Sequence, residues 1–377
     1  MRLTLQFRAP ATVLTPLHRT EISRFVRPER RSATKMLCVS LLSALLFTCT
    51  ASLARAQDYT SIVVFGDSLS DTGNVADLTE SKYGVRIPGI AADYTDGRFT
   101  DGADTLPPAQ NYFGVWIEQL AAMLPAQPAV KASLDGGTDY AYGFATTGVG
   151  TGLFTFGPSD SLSVDVDNIG QQITDYLATH PKITDKTLFV VWGGAIDVLY
   201  ATSPDQVFDA AIQQALNVQR LIDAGATQFL VPNLPPLGLT PRLNGSSTTS
   251  VPATQASVFY NDVLATGLAI LRDFNPGRRL QLFQLDVFSL FEQIVASPSR
   301  YALANITGMS QGNPVIDPDT WLFWDSLHPT TRGHNILAVT ANRLIRSPQR
   351  RDPFVRSDGG LIRLDPNRIG GTVLAGH

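Results

Sequence analysis

Cysteine is almost absent from this sequence of 377 residues, and the two that exist, Cys38 and Cys49, both lie close to the N terminus. The apolar segment that contains them predicts a removable leader, so we expect no cysteine in the mature protein. The mature protein therefore needs no disulfide, even if it is exported. The sequence also shows no internal repeat, no heptads and no glycine-rich phosphate loop, so nothing indicates a solenoid, a coiled coil or that type of phosphate site.

Basic residues are scarce once the leader is set aside. Residues 1–56 hold 9 of the 29 lysines and arginines but only 2 of the 33 aspartates and glutamates. The rest of the chain therefore has 20 basic and 31 acidic residues, a net charge of −11. Because nucleic-acid binding needs a basic surface, we expect no nucleic-acid partner.

The sequence has no apolar run long enough for a comfortable membrane span. The most apolar segment, residues 36–50, has 15 residues, whereas a transmembrane helix needs about 20. It follows Lys35 and precedes Ala54-Arg55-Ala56, a small-x-small cleavage site, so we predict a signal peptide that is cleaved after Ala56. We therefore expect a secreted or periplasmic protein without a transmembrane domain in its mature chain.

The two ends of the chain leave some choices open. Residues 1–35 are rich in arginine, which indicates either that translation starts at Met36 rather than Met1 or that the leader is long and basic. A lipid-anchored Cys49 is a further alternative, disfavoured because the preceding Phe47 is bulky for such a site. Residues 347–377 lack apolar periodicity, so we expect a poorly ordered tail there.

Between leader and tail, short apolar runs alternate with longer segments of helical periodicity. The predicted strands are residues 62–65, 188–192, 228–231 and 280–285. The predicted helices are residues 113–124, 167–179, 204–224, 254–274, 288–296 and 331–346. This alternation indicates a parallel sheet covered by helices on both faces. We predict one α/β domain, residues 57–346, built as a three-layer α/β/α sandwich with a short parallel sheet.

Three segments rich in glycine, proline, aspartate, threonine or serine interrupt this pattern. We predict long loops at residues 76–110, 146–165 and 239–254. Loops of this size usually serve a functional site, so these segments are expected to line one.

The first predicted strand leads into a turn that carries a serine. Residues 62–74 read Ile-Val-Val-Phe-Gly-Asp-Ser-Leu-Ser-Asp-Thr-Gly-Asn, an apolar run followed by small polar residues. Reacting groups in open α/β sheets gather beyond the carboxyl ends of strands, which makes Ser68 a candidate nucleophile. A serine in such a turn is also a common helix N-cap, so this stretch alone leaves both interpretations open.

A second stretch, near the C terminus, carries possible partners for that serine. Residues 323–330 read Phe-Trp-Asp-Ser-Leu-His-Pro-Thr, with Asp325 three residues before His328. An imidazole can remove the proton of a serine hydroxyl while a carboxylate fixes the tautomer of the ring. The other four histidines lie in the leader, at a helix end, on a predicted helix and at the C terminus, which makes His328 the strongest candidate base. The alternative is a helix start capped by an aspartate.

Joined together, these stretches resemble the GDSL lipase/esterase family of the SGNH hydrolases. The matching blocks are residues 65–74 for the nucleophile, 97–102 and 116–120 for an early loop and helix, 231–238 for a later post-strand segment, and 325–328 for the acid and base. The residues of these blocks most resemble those of the secreted bacterial phospholipase/lecithinase/haemolysin-like branch. The resemblance implies the SGNH, flavodoxin-like form of the α/β fold. The Gly-x-Ser-x-Gly elbow of the α/β-hydrolases is missing.

The resemblance implies a serine esterase or lipase. It implies Ser68 as the nucleophile, His328 as the general base and then acid, and Asp325 as the orienting carboxylate, with an acyl-enzyme that water hydrolyses. The implied substrates are carboxylic esters, either lipid or short acyl esters, and no cofactor is implied. We expect no metal site, because no further carboxylates or histidines cluster with Asp67 and Asp71.

Two positions depart from the oxyanion hole of the family, which uses the N–H of the serine, the N–H of a glycine and the side-chain amide of an asparagine. Ile196 stands where the asparagine is expected, and Phe144, after Gly143, stands where the glycine is usual. Losing one such donor typically costs roughly 10²–10³ in kcat. Candidate members of the hole are Ser68, Gly143, Phe144 and Ile196, and Asn74, Asn233 or Gly143 are candidates to replace the missing amide.

Two other functions stay open. The departures at Phe144 and Ile196 are compatible with a catalytically impaired homologue that binds acyl chains or glycans. Aromatic residues of the predicted loops can stack on sugars, which leaves a carbohydrate acetylesterase as another alternative, although such residues are more often core or rim packing. These aromatic residues are Tyr83, Tyr94, Phe99, Phe154 and Phe156.

Overall fold

A computed structural model describes residues 59–102, 113–125, 128–157, 160–183 and 186–347. The predicted signal peptide and the predicted C-terminal tail from residue 348 onward lie outside these residues. The described residues belong to one compact unit, Ala56–His377. Across these ranges, no helix is long and apolar enough to cross a membrane.

Strands and helices alternate along the described chain. The strands are β1 (Ser61–Gly66), β2 (Thr151–Phe156), β3 (Leu162–Asp167), β4 (Thr187–Trp192), β5 (Gln228–Pro232), β6 (Gln281–Leu285), β7 (Asn305–Met309) and β8 (Trp321–Phe323). The helices are α1 (Asn74–Tyr83), α2 (Trp116–Met123), α3 (Ile169–Thr179), α4 (Ala195–Tyr200), α5 (Pro204–Asp223), α6 (Ser247–Phe274), α7 (Val287–Ala296) and α8 (Thr331–Arg346).

The centre of the fold is a parallel sheet with the strand order β1-β4-β5-β6. Its strands are apolar on both faces, which is what a sheet covered on both sides requires. Val63 and Phe65 of β1 belong to a core cluster that includes residues of α3, α5 and α6. Ile62 and Val64 belong to a second cluster that includes residues of α2, α7 and α8. Successive side chains of one strand thus enter opposite layers, and the predicted three-layer α/β/α sandwich is confirmed.

The free edge of β1 is covered by residues 138–142, which run parallel to it. The N–H of Val64 donates to the carbonyl of Thr138, the N–H of Tyr140 to that of Val64, and the N–H of Tyr142 to that of Gly66. This pairing carries the chain from the edge of the sheet to Gly143 and Phe144. The end of β1 and residues 143–144 therefore lie side by side.

The predicted loops at residues 76–110 and 146–165 are wrong in part. Helix α1 occupies the start of the first, but its buried face is mainly small or polar and gives little hydrophobic periodicity. The antiparallel hairpin β2–β3 occupies most of the second. In β2 the apolar Leu153 is 52% exposed, on the same side as the threonines. The sequence therefore lacks the regular alternation of apolar and polar residues that would have indicated this strand.

The predicted loop at residues 239–254 is also shorter than expected, because α6 begins at Ser247. Ser246 caps this helix by accepting the N–H of Thr248. The first turns are rich in serine and threonine and contain Pro252, a composition typical of loops, and this concealed the helix in the sequence.

Candidate active site

Three side chains from the two ends of the described chain meet beyond the carboxyl end of β1. The Oγ atom of Ser68 lies 2.8 Å from Nε2 of His328. The Nδ1 atom of His328 lies 2.7 Å from Oδ2 of Asp325. Since a carboxylate can only accept at Nδ1, the proton of the neutral ring belongs there, and Nε2 is left to accept from the serine hydroxyl. This is the arrangement by which a histidine activates a serine.

The turn around Ser68 depends on a close approach between two strands. A Cβ atom at Gly66 would lie 2.8 Å from the carbonyl oxygen of Trp192, so only glycine fits where β1 ends against β4. The side chain of Gln172 then bonds both the N–H and the carbonyl of Gly66, each at 2.9 Å. With its Oγ directed to His328, Ser68 does not act as the cap of α1, whose N-cap residue is Gly73.

Asp325 is buried and held as an anion. Its Oδ1 accepts the N–H groups of Leu327 and His328, both at 2.7 Å, and its Oδ2 also accepts the hydroxyl of Tyr94 at 2.8 Å. Burial alone raises the pKa of Asp325, but the charge of His328 and the hydrogen bonds from His328 and Leu327 outweigh it. The pKa therefore lies well below its usual range.

Asp71 joins the turn after Ser68 to the loop that follows residues 138–142. Its carboxylate accepts the N–H groups of Gly73, Asn74 and Gly143, each at 2.8 Å. Burial raises its pKa to about 6, against the effect of these hydrogen bonds. In the part of the chain that the structure describes, no group of three or more histidines, cysteines or carboxylates is arranged to hold a metal ion.

The candidate oxyanion-hole residues in this loop differ in what their amides do. The N–H of Gly143 is engaged by Asp71, whereas the N–H groups of Phe144 and Ser68 have no acceptor among the described residues. Phe144 has a φ of 72°, the left-handed conformation in which a residue with a side chain is rare. A phenylalanine thus takes up here a backbone conformation that glycine adopts at less cost.

Ile196 lies on the wall of the cleft beside Ser68 and His328. It is the second residue of α4, which follows β4 through a turn at Gly194 with a φ of 103°. A Cβ atom at Gly194 would come within 2.3 Å of the ring of Tyr260, so that turn requires glycine. The buried, aliphatic side chain of Ile196 offers no hydrogen bond to the cleft.

The two asparagines considered as replacements are both engaged elsewhere. Nδ2 of Asn74 donates to the carbonyls of Asp139 and Ala141, at 2.8 and 2.9 Å, which uses both of its protons. Nδ2 of Asn233 donates to Oδ1 of Asp286 at 2.9 Å. These amides tie loops together, and Asn74 has no proton left for a substrate.

The cleft beside Ser68 is partly open to solvent. Besides Asp67, Ser68, Thr240 and His328, its wall is apolar. Its lining includes the buried side chains of Phe291 of α7 and Leu337 of α8. A lining of this kind suits the hydrocarbon part of a ligand, with the polar groups confined to one place.

Two of the five loop aromatics contact His328 or Asp325 directly. Tyr94 bonds Asp325, and the ring of Phe99 lies 5.0 Å from that of His328, centroid to centroid. Phe156 stacks on Phe154 and meets Tyr83 edge-on, and Phe154 also packs edge-on against Phe99 and Phe144. Phe99 lies in the family-like block at residues 97–102, whereas nothing in the sequence distinguished Tyr94 from the other aromatic residues.

Several known proteins are similar to this chain. Residues 62–339 match the family described as GDSL-like Lipase/Acylhydrolase. The phosphatidylcholine-sterol acyltransferase of Aeromonas hydrophila is 25% identical, over 82% of this chain and 96% of its own. An uncharacterized protein from the trpE-trpG intergenic region of Pseudomonas putida is 28% identical over 81% of this chain and 52% of its own, so the chain spans about half its length. A solved lipolytic protein of the G-D-S-L family from Veillonella parvula aligns with a TM-score of 0.36 at 11% identity, covering 77% of this chain and 98% of that one.

Proposed function

Since this chain belongs to the GDSL-like lipase/acylhydrolase family of ester hydrolases, we propose that Ser68 is its nucleophile and that it cleaves carboxylic esters through an acyl-enzyme. The observation that carries the proposal is the contact of 2.8 Å between Oγ of Ser68 and Nε2 of His328. The bond of 2.7 Å from His328 to Asp325 supports it, because that bond leaves Nε2 unprotonated and ready to accept a proton.

In the proposed reaction, His328 transfers one proton during acylation of Ser68 and one during hydrolysis of the acyl-enzyme. Nε2 takes the hydroxyl proton of Ser68 as Oγ attacks the ester carbonyl, and then returns it to the departing alcohol. Water repeats the sequence on the acyl-enzyme, and the acid product leaves with Ser68 regenerated. Asp325 stays ionised throughout and stabilises the imidazolium, in keeping with its lowered pKa.

The proposed oxyanion hole consists of the N–H groups of Ser68 and Phe144. Both lack an acceptor within the described ranges, whereas the N–H of Gly143 already donates to Asp71. With Ile196 at the third position, the negative oxygen receives two hydrogen bonds rather than three. We therefore propose an enzyme that is slower, by roughly 10²–10³ in kcat, than one with a full set of donors.

The apolar cleft supports esters with a hydrocarbon acyl part, such as lipids or other acyl esters, as the substrates. Export is also part of the proposal, and it is supported only by the sequence of residues 36–56. The second candidate function, an impaired homologue that binds acyl chains, is favoured by one observation. Both side-chain protons of Asn74 are already used, so this amide does not replace the one missing at Ile196.

Two measurements on the purified protein test this function. The first follows turnover of p-nitrophenyl esters of increasing chain length, together with phospholipid, triglyceride and acetylated xylan. The second follows covalent labelling by a fluorophosphonate. We expect turnover of acyl esters and labelling of one serine, with both lost in Ser68→Ala.

Ser326→Ala is the matched control, because Ser326 lies between Asp325 and His328 but its side chain is exposed. It should keep both turnover and labelling. Turnover that survives in Ser68→Ala would contradict the assignment of the nucleophile. Absence of turnover on every ester would favour the impaired homologue, and turnover of acetylated xylan alone would favour the acetylesterase.

A further inference from the structure

Tyr94 bonds the same carboxylate oxygen that holds His328. Its hydroxyl donates to Oδ2 of Asp325 at 2.8 Å, while Nδ1 of His328 donates to that atom at 2.7 Å. On the other side, Oδ1 accepts the N–H groups of Leu327 and His328. Of these four donors, Tyr94 alone comes from outside residues 325–328, and it lies 231 positions before Asp325 in the chain.

The loop that carries Tyr94 is fixed to the segment that carries Asp325. The ring of Tyr94 packs edge-on against that of Trp324, with 6.1 Å between the centroids. Gln311 connects the same two segments, since its Nε2 donates to the carbonyl of Ala92 and its N–H to the carbonyl of Trp324, at 3.0 and 2.9 Å. These contacts hold the phenol where it meets the carboxylate.

We propose that Tyr94 is a positioning residue of this ester hydrolase: it fixes the carboxylate of Asp325 in the orientation that His328 requires and withdraws charge from the shared Oδ2 atom. The inference rests on the proposed roles of Ser68, His328 and Asp325. A carboxylate oxygen with a second donor rotates less freely and stabilises the imidazolium less than one bonded to the histidine alone. Tyr94 thus keeps His328 oriented and limits how strongly it holds a proton.

Other titratable groups also face His328, and they bear on any pH measurement. Asp67 attracts the imidazolium, and burial raises the pKa of this carboxyl to about 6. Burial, helped by the charge of His328, lowers the pKa of His334 to about 3, so His334 is neutral and does not repel the imidazolium. The ring of Phe99 covers the imidazole and carries no charge. A substitution at Tyr94 that leaves these residues in place reports on the phenol itself.

The test is Tyr94→Phe, which removes the hydroxyl and keeps the ring. We expect kcat to fall about tenfold with little change in KM, because the carboxylate loses a fixed orientation that matters only when the proton moves. The acid limb of the kcat/KM profile should shift to higher pH, because the carboxylate then stabilises the imidazolium more strongly. Tyr83→Phe is the matched control: its hydroxyl donates to the carbonyl of Ser163, also at 2.8 Å, and it should leave kcat and the profile unchanged.

A double-mutant cycle separates positioning from general stability. If Tyr94 acts through Asp325, adding Tyr94→Phe to Asp325→Ala costs no further activity, whereas a purely structural role costs the same factor in both backgrounds. The inference is overturned if Tyr94→Phe keeps kcat within twofold of the wild type and does not shift the acid limb of the kcat/KM profile. It is also overturned if Tyr94→Phe lowers activity by the same factor in the wild-type and Asp325→Ala backgrounds. Those outcomes leave the proposed function intact as long as Ser68→Ala is inactive.

Discussion

Replacing Ile196 by asparagine adds one hydrogen-bond donor to the wall of the cleft beside Ser68. The wild-type side chain is buried and aliphatic, and it lies at the second position of α4. If the proposed hole lacks only this donor, the amide should bond the negative oxygen that forms during attack on the ester. A donor in such a site is worth about 3–4 kcal/mol, or roughly 10²–10³ in kcat. Since the new amide has no neighbours selected to orient it, we expect a gain of at least about tenfold.

The same substitution should make the protein less stable. Ile196 is 6% exposed, so asparagine gives up most of the burial of an aliphatic side chain, worth roughly 1.5–3 kcal/mol. Its amide is also partly desolvated in a wall that is otherwise mainly apolar, which adds about 1 kcal/mol or more. Thermal unfolding of each variant therefore accompanies the kinetics, so that a loss of folded protein is not mistaken for a loss of rate.

The assay compares kcat on a p-nitrophenyl ester for the wild type and three substitutions of similar size. Ile196→Leu keeps an apolar side chain and Ile196→Asn adds the donor. Ile196→Asp adds a carboxylate of the same shape as the asparagine side chain. The expected order is Asn fastest, then Leu, then Asp, since a carboxylate opposes the charge that develops on the substrate. If folded Ile196→Asn is no faster than folded Ile196→Leu, a missing donor at this position is not what limits the enzyme.

Phe144→Gly should relieve about 1 kcal/mol of left-handed backbone strain and lose the ring contacts with Phe154 and Tyr200. Since the N–H is retained, kcat on the same ester should stay within about threefold, and a hundredfold loss would contradict the assigned donor. Burial raises the pKa of Asp67 from 3.8 to about 6, so the unfolded chain loses this proton first and the group destabilises the fold as pH rises from 4 to 6. In urea unfolding, Asp67→Asn should therefore lose less stability than the wild type between pH 4 and pH 7, by up to about 3 kcal/mol; equal losses would contradict the raised pKa.

Features that depend on local sequence could be predicted, whereas contacts between residues far apart in the chain mostly could not. The strands β1 and β4 were predicted within about one residue, because they are apolar on both faces and need no partner to be recognised. The contact between Ser68 and His328 spans 260 positions, and only the order of several short family-like blocks indicated it. Nothing comparable indicated Tyr94, whose bond to Asp325 depends on how a loop is packed against a segment 231 positions away.

Sequence also did not indicate which candidate hydrogen-bond donors are free to bind a substrate. Asn74 follows Ser68 by six residues and Gly143 directly precedes Phe144. The side-chain amide of Asn74 and the backbone N–H of Gly143 were therefore reasonable replacements for the amide that Ile196 lacks. Their protons are used by groups 65 to 72 positions away, namely the carbonyls of Asp139 and Ala141 and the carboxylate of Asp71. Which donors stay available near Ser68 is therefore a property of the packed loops and not of the motif.

The isoleucine at position 196, where the family resemblance predicts asparagine, does not disturb the loops, because the next residue, Asp197, holds them together. Asp197 accepts the N–H of Thr147 at 3.0 Å and its hydroxyl at 3.1 Å, which fixes the loop that begins at Phe144 to the start of α4. Asp71 fixes the other side of that loop through Gly143. The amide of Phe144 is thus held from both sides without any contribution from Ile196. We therefore infer that the departure at Ile196 removes one donor of the proposed oxyanion hole without displacing Ser68 or Phe144, so we expect its effect in kcat rather than in the fold.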